Sequence, residues 1–488
     1  MGTFDLAIIL ISLIAMVSIG IACRGRQEDE EDYFTADGGF SRLFGSVLVG
    51  LSIAATFFSG ISFLAYPSVA YSDGAAIGVS AAVLPIAGAI VWFWFLPRYL
   101  STGSRQPYEI VERRFGYPAR AVAAARFVML RVGWMGALIY APTVAVMAAM
   151  RLPDSWFWPL VLTIGLTSTL YTTLGGIRGV IVTDAIQFVI IAVGVFWPIA
   201  YVATHLPVPA AEAWSHLESS GRLDWFDPSP DFRRPMTFWS VLFGFTAANL
   251  GMYIGDQMSL QRYLASSDLR TARRSFAINI VGVMIVVLML TTVGLAMAIW
   301  YGSSTGPAAP GDADHVFPHF VATELPAGTP GLILAAILAA TMSSMTSGIN
   351  ALAGTITLDF ALRSNRLSTA KERLRFGRWA SLVIGLAATL VAGLVDRLGS
   401  IFEITQALTG VFLGPLLACV VYAVTQLPIG PKSLIAGMLA GTLAGWAVVL
   451  SPVYILWVAP ASVAVSFAIP LIAMALWKRE RQSVRNEE

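Results

Sequence analysis

The stretch AATMSSMTSGIN, residues 339–350, sets five hydroxyl side chains close together: Thr341, Ser343, Ser344, Thr346 and Ser347. It follows the apolar run GLILAAIL and precedes ALAGTITLDF, so the hydroxyls fall inside a hydrophobic segment. On a helix Ala340, Ser343, Ser344 and Ser347 share one face. Neutral oxygens of this kind can replace the hydration shell of Na+ without trapping the ion: Ser343 and Ser344 offer hydroxyls and Ala340 a carbonyl. The plain alternative is that each hydroxyl bonds back to the i−4 carbonyl and only lets helices approach.

Two charged residues join these hydroxyls inside apolar runs. Asp184, in GVIVTDAIQFVIIAVG, lies about five residues into its run, where a carboxylate is costly and functional by default. Its alternatives are an interfacial cap and a partner for Arg178. Arg131, in RAVAAARFVMLRVGWMGALIYAP, is about 15 Å deep at 1.5 Å per residue. Pairing with Asp184, snorkelling inward and meeting an anionic substrate stand as equal readings.

The elements that would carry these residues are membrane spans. The 488-residue chain is 57% hydrophobic and 12% charged, with a mean hydropathy of +0.72. Its apolar runs are continuous rather than alternating, which gives an all-α polytopic membrane protein and excludes a β-barrel. Thirteen spans can be drawn, at 4–23, 44–70, 75–97, 121–149, 156–174, 179–203, 236–257, 275–301, 331–360, 377–396, 400–425, 432–450 and 453–477. Alternate connections then hold 24 Lys and Arg on one side and 5 on the other, with Arg126 and Arg131 set aside as intramembrane. The richer set includes Arg24, Arg26, Arg262 and the 363–378 cluster; the poorer set is Arg151, Arg222, Arg233, Arg234 and Arg397. By the positive-inside rule the N-terminus is outside and the C-terminus inside.

The first run, FDLAIILISLIAMVSIGIAC, lacks a cationic start and is read as a retained helix rather than a cleaved signal. The chain is expected to be a single transmembrane domain, residues 1–488, with an 11-residue cytoplasmic tail (478–488) too short for a catalytic or signalling unit. Short loops and absent N-glycosylation sequons suggest a bacterial inner membrane. No basic block suits nucleic acid, no GxxxxGK[ST] binds nucleotide, and no catalytic cluster accompanies Asp184, so an enzyme is not expected. His315 and His319 lack a third metal ligand. Cys23 and Cys419 fall in apolar spans as packing residues. The sequence does not give an oligomeric state.

Two spans look interrupted. GLSIAATFFSGISFLAYPSVAY carries Thr56, Ser59, Gly60, Ser62 and Pro67; WSVLFGFTAANLGMYIGDQ sets Asn249 beside Gly251 and Gly255. Gly and Pro loosen the hydrogen-bond ladder, which is tolerated at membrane depth only where the backbone is buried or lines a cavity. Close packing through small residues is the alternative. Their five-helix spacing points to paired discontinuous helices of an inverted repeat, with a first repeat at 44–203 and a second at 236–425.

Six segments in order resemble the solute:sodium symporters, which include sodium/glucose, sodium/iodide, sodium/monocarboxylate, proline and sialic acid transporters. They are EDYFTADG with LVGLSIAATFFSGISF, PYEIVERRFG, YTTLGGIRGVIVTDAIQF, GDQMSLQRYL, the long run from FPHFVATELP to TITLDF, and ITQALTGVFLGP. The resemblance implies a LeuT-type 5+5 core of ten helices, with a leading helix (4–23) before it and two trailing helices (432–477) behind. It implies secondary active symport of Na+, as coupling ion, with a small organic solute, and no organic cofactor. A carboxylate such as a monocarboxylate or a sialic acid, or else a sugar, is the solute class implied; a sensor or a proton-coupled carrier are the rival functions. By position, the shared Na+ site would use carbonyls of Ala55, Phe58 and Ala340 and hydroxyls of Ser343 and Ser344. A second Na+ site found in some members is matched by Asp184, Ser344 and Ser347, with Thr346 nearby. Substrate positions correspond to Phe57, Ser59, Ser62, Asn249, Tyr253 and Gln406. Alignment on GALIYAP puts Trp134 where sialic acid carriers hold a carboxylate-binding Arg, with Arg131 one turn away.

Overall fold

Every regular element among the described residues is helical, as the unbroken apolar runs require. The computed structural model describes residues 3–23, 42–150, 152–206, 208–302, 307–311, 313–361, 369–394 and 401–487. EDYFTADG, Arg24, Arg26, Arg151, Arg363, Arg366 and Arg397 lie outside that set, as do the side chains of Cys23 and Phe57.

Helix α1 (Thr3–Cys23) leads, and the next span is broken into α2 (Arg42–Phe57) and α3 (Gly60–Asp73). α4 (Val79–Ala89) continues through a π-helical turn to a short helix ending at Ser101, and α5 (Tyr117–Met150) follows. α6 (Phe157–Thr204) is two crossings joined at Gly176, whose φ of 55° and ψ of −160° suit only glycine. The next broken span consists of α7 (Phe238–Leu250), a π-helical turn to Gly255, and α8 (Gln257–Leu264). α9 (Leu269–Gly302), α10 (Thr329–Gly354), α11 (Ala370–Val391), α12 (Ile401–Val424), α13 (Pro431–Val449) and α14 (Val458–Glu487) complete the order.

Eleven stretches are long and apolar enough to cross a membrane. Two of them are longer than one crossing: the 42-residue stretch joins α3, the second half of the broken span, to the next crossing, and the 51-residue stretch holds two, while α2 is too short to count alone. The thirteen-span drawing therefore agrees with the helices, and the difference arises from how breaks and tight turns are divided.

The hydroxyl-bearing helix α10 is the innermost. Its most apolar window is 94% buried, against 22% for α1. It packs on α6, α1, α5 and α2, while α9 packs on both halves of the first broken span. Small residues allow this: a Cβ on Gly194 of α6 would strike Ala336, and one on Gly60 would strike Thr341 and Pro142. The outer end of α10 is capped from a distance. Asp5 of α1, itself buried, accepts the Gly328 and Gly331 N–H groups at 2.9 Å each.

Candidate ion and substrate site

The first break frees two carbonyls in the middle of the bundle. Ser59 is extended (φ −100°, ψ 168°). Its N–H, which a continuous helix would give to Ala55, donates to Ser62 Oγ at 3.3 Å. The Ser62 N–H, due to Phe58, donates instead to Ser59 O at 2.9 Å. The Ala55 and Phe58 carbonyls therefore lose these two ladder donors. Ser344 Oγ of α10 reaches Phe58 O at 3.4 Å, a long contact. Ser343 Oγ is fully buried and has no hydrogen-bond partner among the described residues. An orphaned hydroxyl at Ser343, next in the chain to a hydroxyl that reaches the Phe58 carbonyl, offers the neutral oxygens a monovalent cation needs, so these residues fit Na+.

The other hydroxyls of α10 divide between two roles. Thr341 Oγ1 donates back to Ile337 O and Thr346 Oγ1 to Ser343 O, both at 3.0 Å, which is the packing alternative. Ser347 Oγ instead donates to Asp184 Oδ2 at 3.3 Å.

Asp184 corrects the sequence reading of its partner. Arg262 of α8 pairs with its carboxylate at 3.0 Å, whereas Arg131 pairs elsewhere. Ser52 Oγ of α2 donates to the same carboxylate oxygen at 2.8 Å. Arg262 also reaches Ser52 Oγ (3.1 Å), Met258 O (2.9 Å) and Ser347 Oγ. Counted as an inner-loop cation in the sequence, Arg262 is among the most buried side chains of the molecule. Of the oxygens matched to a second Na+, Asp184 Oδ2 and Ser347 Oγ are thus in contact with a guanidinium.

Arg131 is corrected as well. It pairs with Asp256, the residue at the break between α7 and α8, and does not line the cavity. Asp256 also caps α8 by accepting the Met258 N–H at 2.8 Å. Tyr253 turns away from the cavity: it is fully buried, its hydroxyl accepts Asn279 Nδ2 at 3.1 Å, and its ring packs edge-on to Phe276.

The cavity itself lies beside the first break and has a volume of about 100 Å³. Ser59, Ser62, Trp134, Asn249 and Gln406 line it as the sequence suggested, and Phe58 lines it too. Tyr66, Ser80, Thr405 and Thr409 add hydroxyls that sequence reasoning did not single out, and Phe245, Met252 and Val283 add apolar walls. No charged side chain lines it among the described residues. Ser52 and Arg262 were also missed. The available signal was an arginine inside GDQMSLQRYL, a segment too polar to read as buried.

Discontinuous helices meeting at a buried, uncharged cavity beside an ion-suited oxygen set define a secondary transporter of the LeuT type. The solved substrate-bound, outward-open Na+-coupled sialic acid symporter has this fold, with a TM-score of 0.86 at 23% identity over 97% of this chain and 98% of that one. The family model for the sodium:solute symporter family matches residues 33–441, and the chain belongs to that family. The human sodium/iodide cotransporter is 29% identical over 451 residues, covering 90% of this chain and 68% of the relative. The sodium/sialic acid symporter NanT of Aliivibrio fischeri is 28% identical over 425 residues, covering 85% and 81%. The chain is a multi-pass membrane protein, and its family and relatives are transporters.

Proposed function

We propose that this protein is a sodium-coupled symporter of a small organic anion, with a monocarboxylate or a sialic acid as the solute class. One observation carries the reading: Phe58 lines the cavity, and its carbonyl accepts from Ser344 Oγ, one of the ion-suited oxygens. Ion and solute would therefore meet at the same break. A cavity without a charged side chain has to neutralise an anion by other means. The N-terminus of α3, which starts at Gly60 beside the cavity, supplies partial positive charge, and the co-bound Na+ supplies the rest. Both relatives named above carry anions by name, in agreement with this chemistry.

The coupling ion is assigned to Ala55, Phe58, Ala340, Ser343 and Ser344, and the solute to Ser59, Ser62, Trp134, Asn249 and Gln406. Residues 44–203 and 236–425 would form the two repeats that rock around this point, with the N-terminus outside. Each Na+ entering an inside-negative cell gains about 2.3 kcal/mol per 100 mV, in addition to its concentration term. Ion binding drives transport to the extent that its affinity differs between the outward and inward arrangements. A sugar is the second reading, because the amides of Asn249 and Gln406 line the cavity.

The test is thermal stability of the purified protein in NaCl against KCl, with monocarboxylates, sialic acids and sugars added in turn. Sodium-specific stabilisation enlarged by a carboxylate supports the proposal. Enlargement by a sugar alone selects the second reading, and indifference to sodium overturns both.

A further inference from the structure

Helix α9 begins with three arginines on one face. Arg270, Arg273 and Arg274 follow one another at i, i+3 and i+4. With Trp92 and Leu269 they line a pocket of about 600 Å³, at the end of the bundle that the arginine count makes the inner one. Trp92 belongs to the π-helical turn that ends α4. α4 runs antiparallel beside α9: Gly88 meets Ile280, and further in Arg273 Nε donates to Trp92 O at 3.2 Å. The Arg273 guanidinium also lies over the Trp92 ring, 5.9 Å from its centre. Arg270 and Arg274 are exposed and have no hydrogen-bond or ion-pair partner among the described residues. Elsewhere on this side Arg113 pairs with Glu109 and Arg120 with Glu112. No acid lines the pocket; Asp268, just before α9, caps the helix by accepting the Thr271 N–H at 2.7 Å.

We propose that this pocket holds the headgroup of an anionic phospholipid of the inner leaflet. Two guanidiniums without partners suit a phosphodiester, which each can grip through paired N–H donors. The acyl chains have a bed on the same face of α9. Val281, Ile285 and Leu288 follow Arg274 at steps of seven, four and three residues, and each is about half exposed. Phe93, edge-on to Trp92, is 72% exposed. The face therefore reads cationic, then aromatic, then apolar with increasing depth, which is the order of parts in a phospholipid. A free phosphate would use only the first of these. The bound lipid ties the foot of α9 to the end of α4, and α9 in turn packs on both halves of the first broken span. The inference needs the membrane setting alone and does not depend on the coupling ion or the solute.

The experiment titrates the full-length, delipidated protein in detergent with phosphatidylglycerol, phosphatidylcholine or inorganic phosphate, and native mass spectrometry counts what is bound. Wild type should bind phosphatidylglycerol more tightly than phosphatidylcholine. Arg270→Gln/Arg274→Gln leaves Arg273 on Trp92 and deletes the two unpartnered charges. It should bind phosphatidylglycerol about 30-fold more weakly, the contribution of two cations at a membrane surface. Should the double variant not be recovered folded, Arg274→Gln alone carries the test with a loss of about fivefold. Lys478→Gln/Arg479→Gln, which removes as much charge from the exposed end of α14, should bind as wild type does. Equal binding of the two lipids, or undiminished phosphatidylglycerol binding without Arg274, overturns the inference. So does an equal loss in the α14 variant, which would mean general attraction to charge. Inorganic phosphate bound as tightly as phosphatidylglycerol would replace the lipid with a free anion.

Discussion

Two helices of this protein are broken, and the two breaks have been finished in opposite ways. At Phe58–Ser59 no charged side chain lines the adjoining cavity among the described residues, the Ser343 hydroxyl has no hydrogen-bond partner, and the carbonyls of Ala55 and Phe58 have lost their ladder donors. At Asp256 the break is saturated: Asp256 caps α8 and pairs with Arg131, and Tyr108 Oη donates to Gly255 O at 2.9 Å. Six residues further along, Arg262 is held by Asp184. A broken helix becomes a binding site only where its freed groups are not consumed by the protein's own side chains. The first break waits for a ligand, whereas the second supplies its own.

The contrast can be broken most directly on the saturated side. Asp184→Ala should leave the Arg262 charge buried beside a cavity and cost about 3–5 kcal/mol. Thermal unfolding in potassium measures this, and a loss below about 1 kcal/mol would show that charge does not hold this region together. On the open side, Gly60→Val places methyls against Thr341 and Pro142. An overpacking cost of about 1–3 kcal/mol is expected, together with loss of the sodium-dependent stabilisation. Retention of a full sodium response would mean that the approach of α3 to α10 is not needed for the ion site. Tyr108→Phe removes a buried donor from Gly255 O and should cost about 1 kcal/mol, equally in sodium and potassium. A sodium-specific effect there would place the second break in contact with the first site. Ser343→Ala is the smallest in stability. Deleting an unpartnered hydroxyl should change stability in potassium by no more than about 0.5 kcal/mol, while the sodium-dependent shift disappears. Survival of the shift in this variant would remove Ser343 from the ion site.

The same contrast explains what could be read from the sequence. The open break was legible because its signals are local: Ser59, Gly60 and Ser62 within one apolar run, and Ser343, Ser344 and Ser347 on one helical face. The saturated break was not. Arg131 finds Asp256 across 125 positions and Asp184 finds Arg262 across 78, and no periodicity reports such pairings. Arg262 misled for a further reason. A residue in a polar segment counts toward the inner-loop charge whether it lies in water or, as here, beneath the bundle. Tyr253 stands on a cavity-lining helix, but a turn of π-helix between Gly251 and Gly255 shifts the register, and its ring packs behind the wall. Thr346 shares a helix turn with Ser343 but bonds back to the chain. Spacing alone does not distinguish the two.

The Asp5 cap on α10 bears on how the protein is made. Its carboxylate meets a backbone N–H 323 positions later in the chain. At about 5–20 residues per second, a ribosome needs roughly 16–65 s to cover that distance. During that interval α1 lies in the bilayer as an apolar helix with an acidic residue near its outer end, and the α10 N–H groups that it caps have not yet been made. The nascent chain therefore has to hold its leading helix in store until α10 emerges. A substitution at Asp5 should show itself first as inefficient insertion or degradation of the newly made protein, before any defect in the finished transporter.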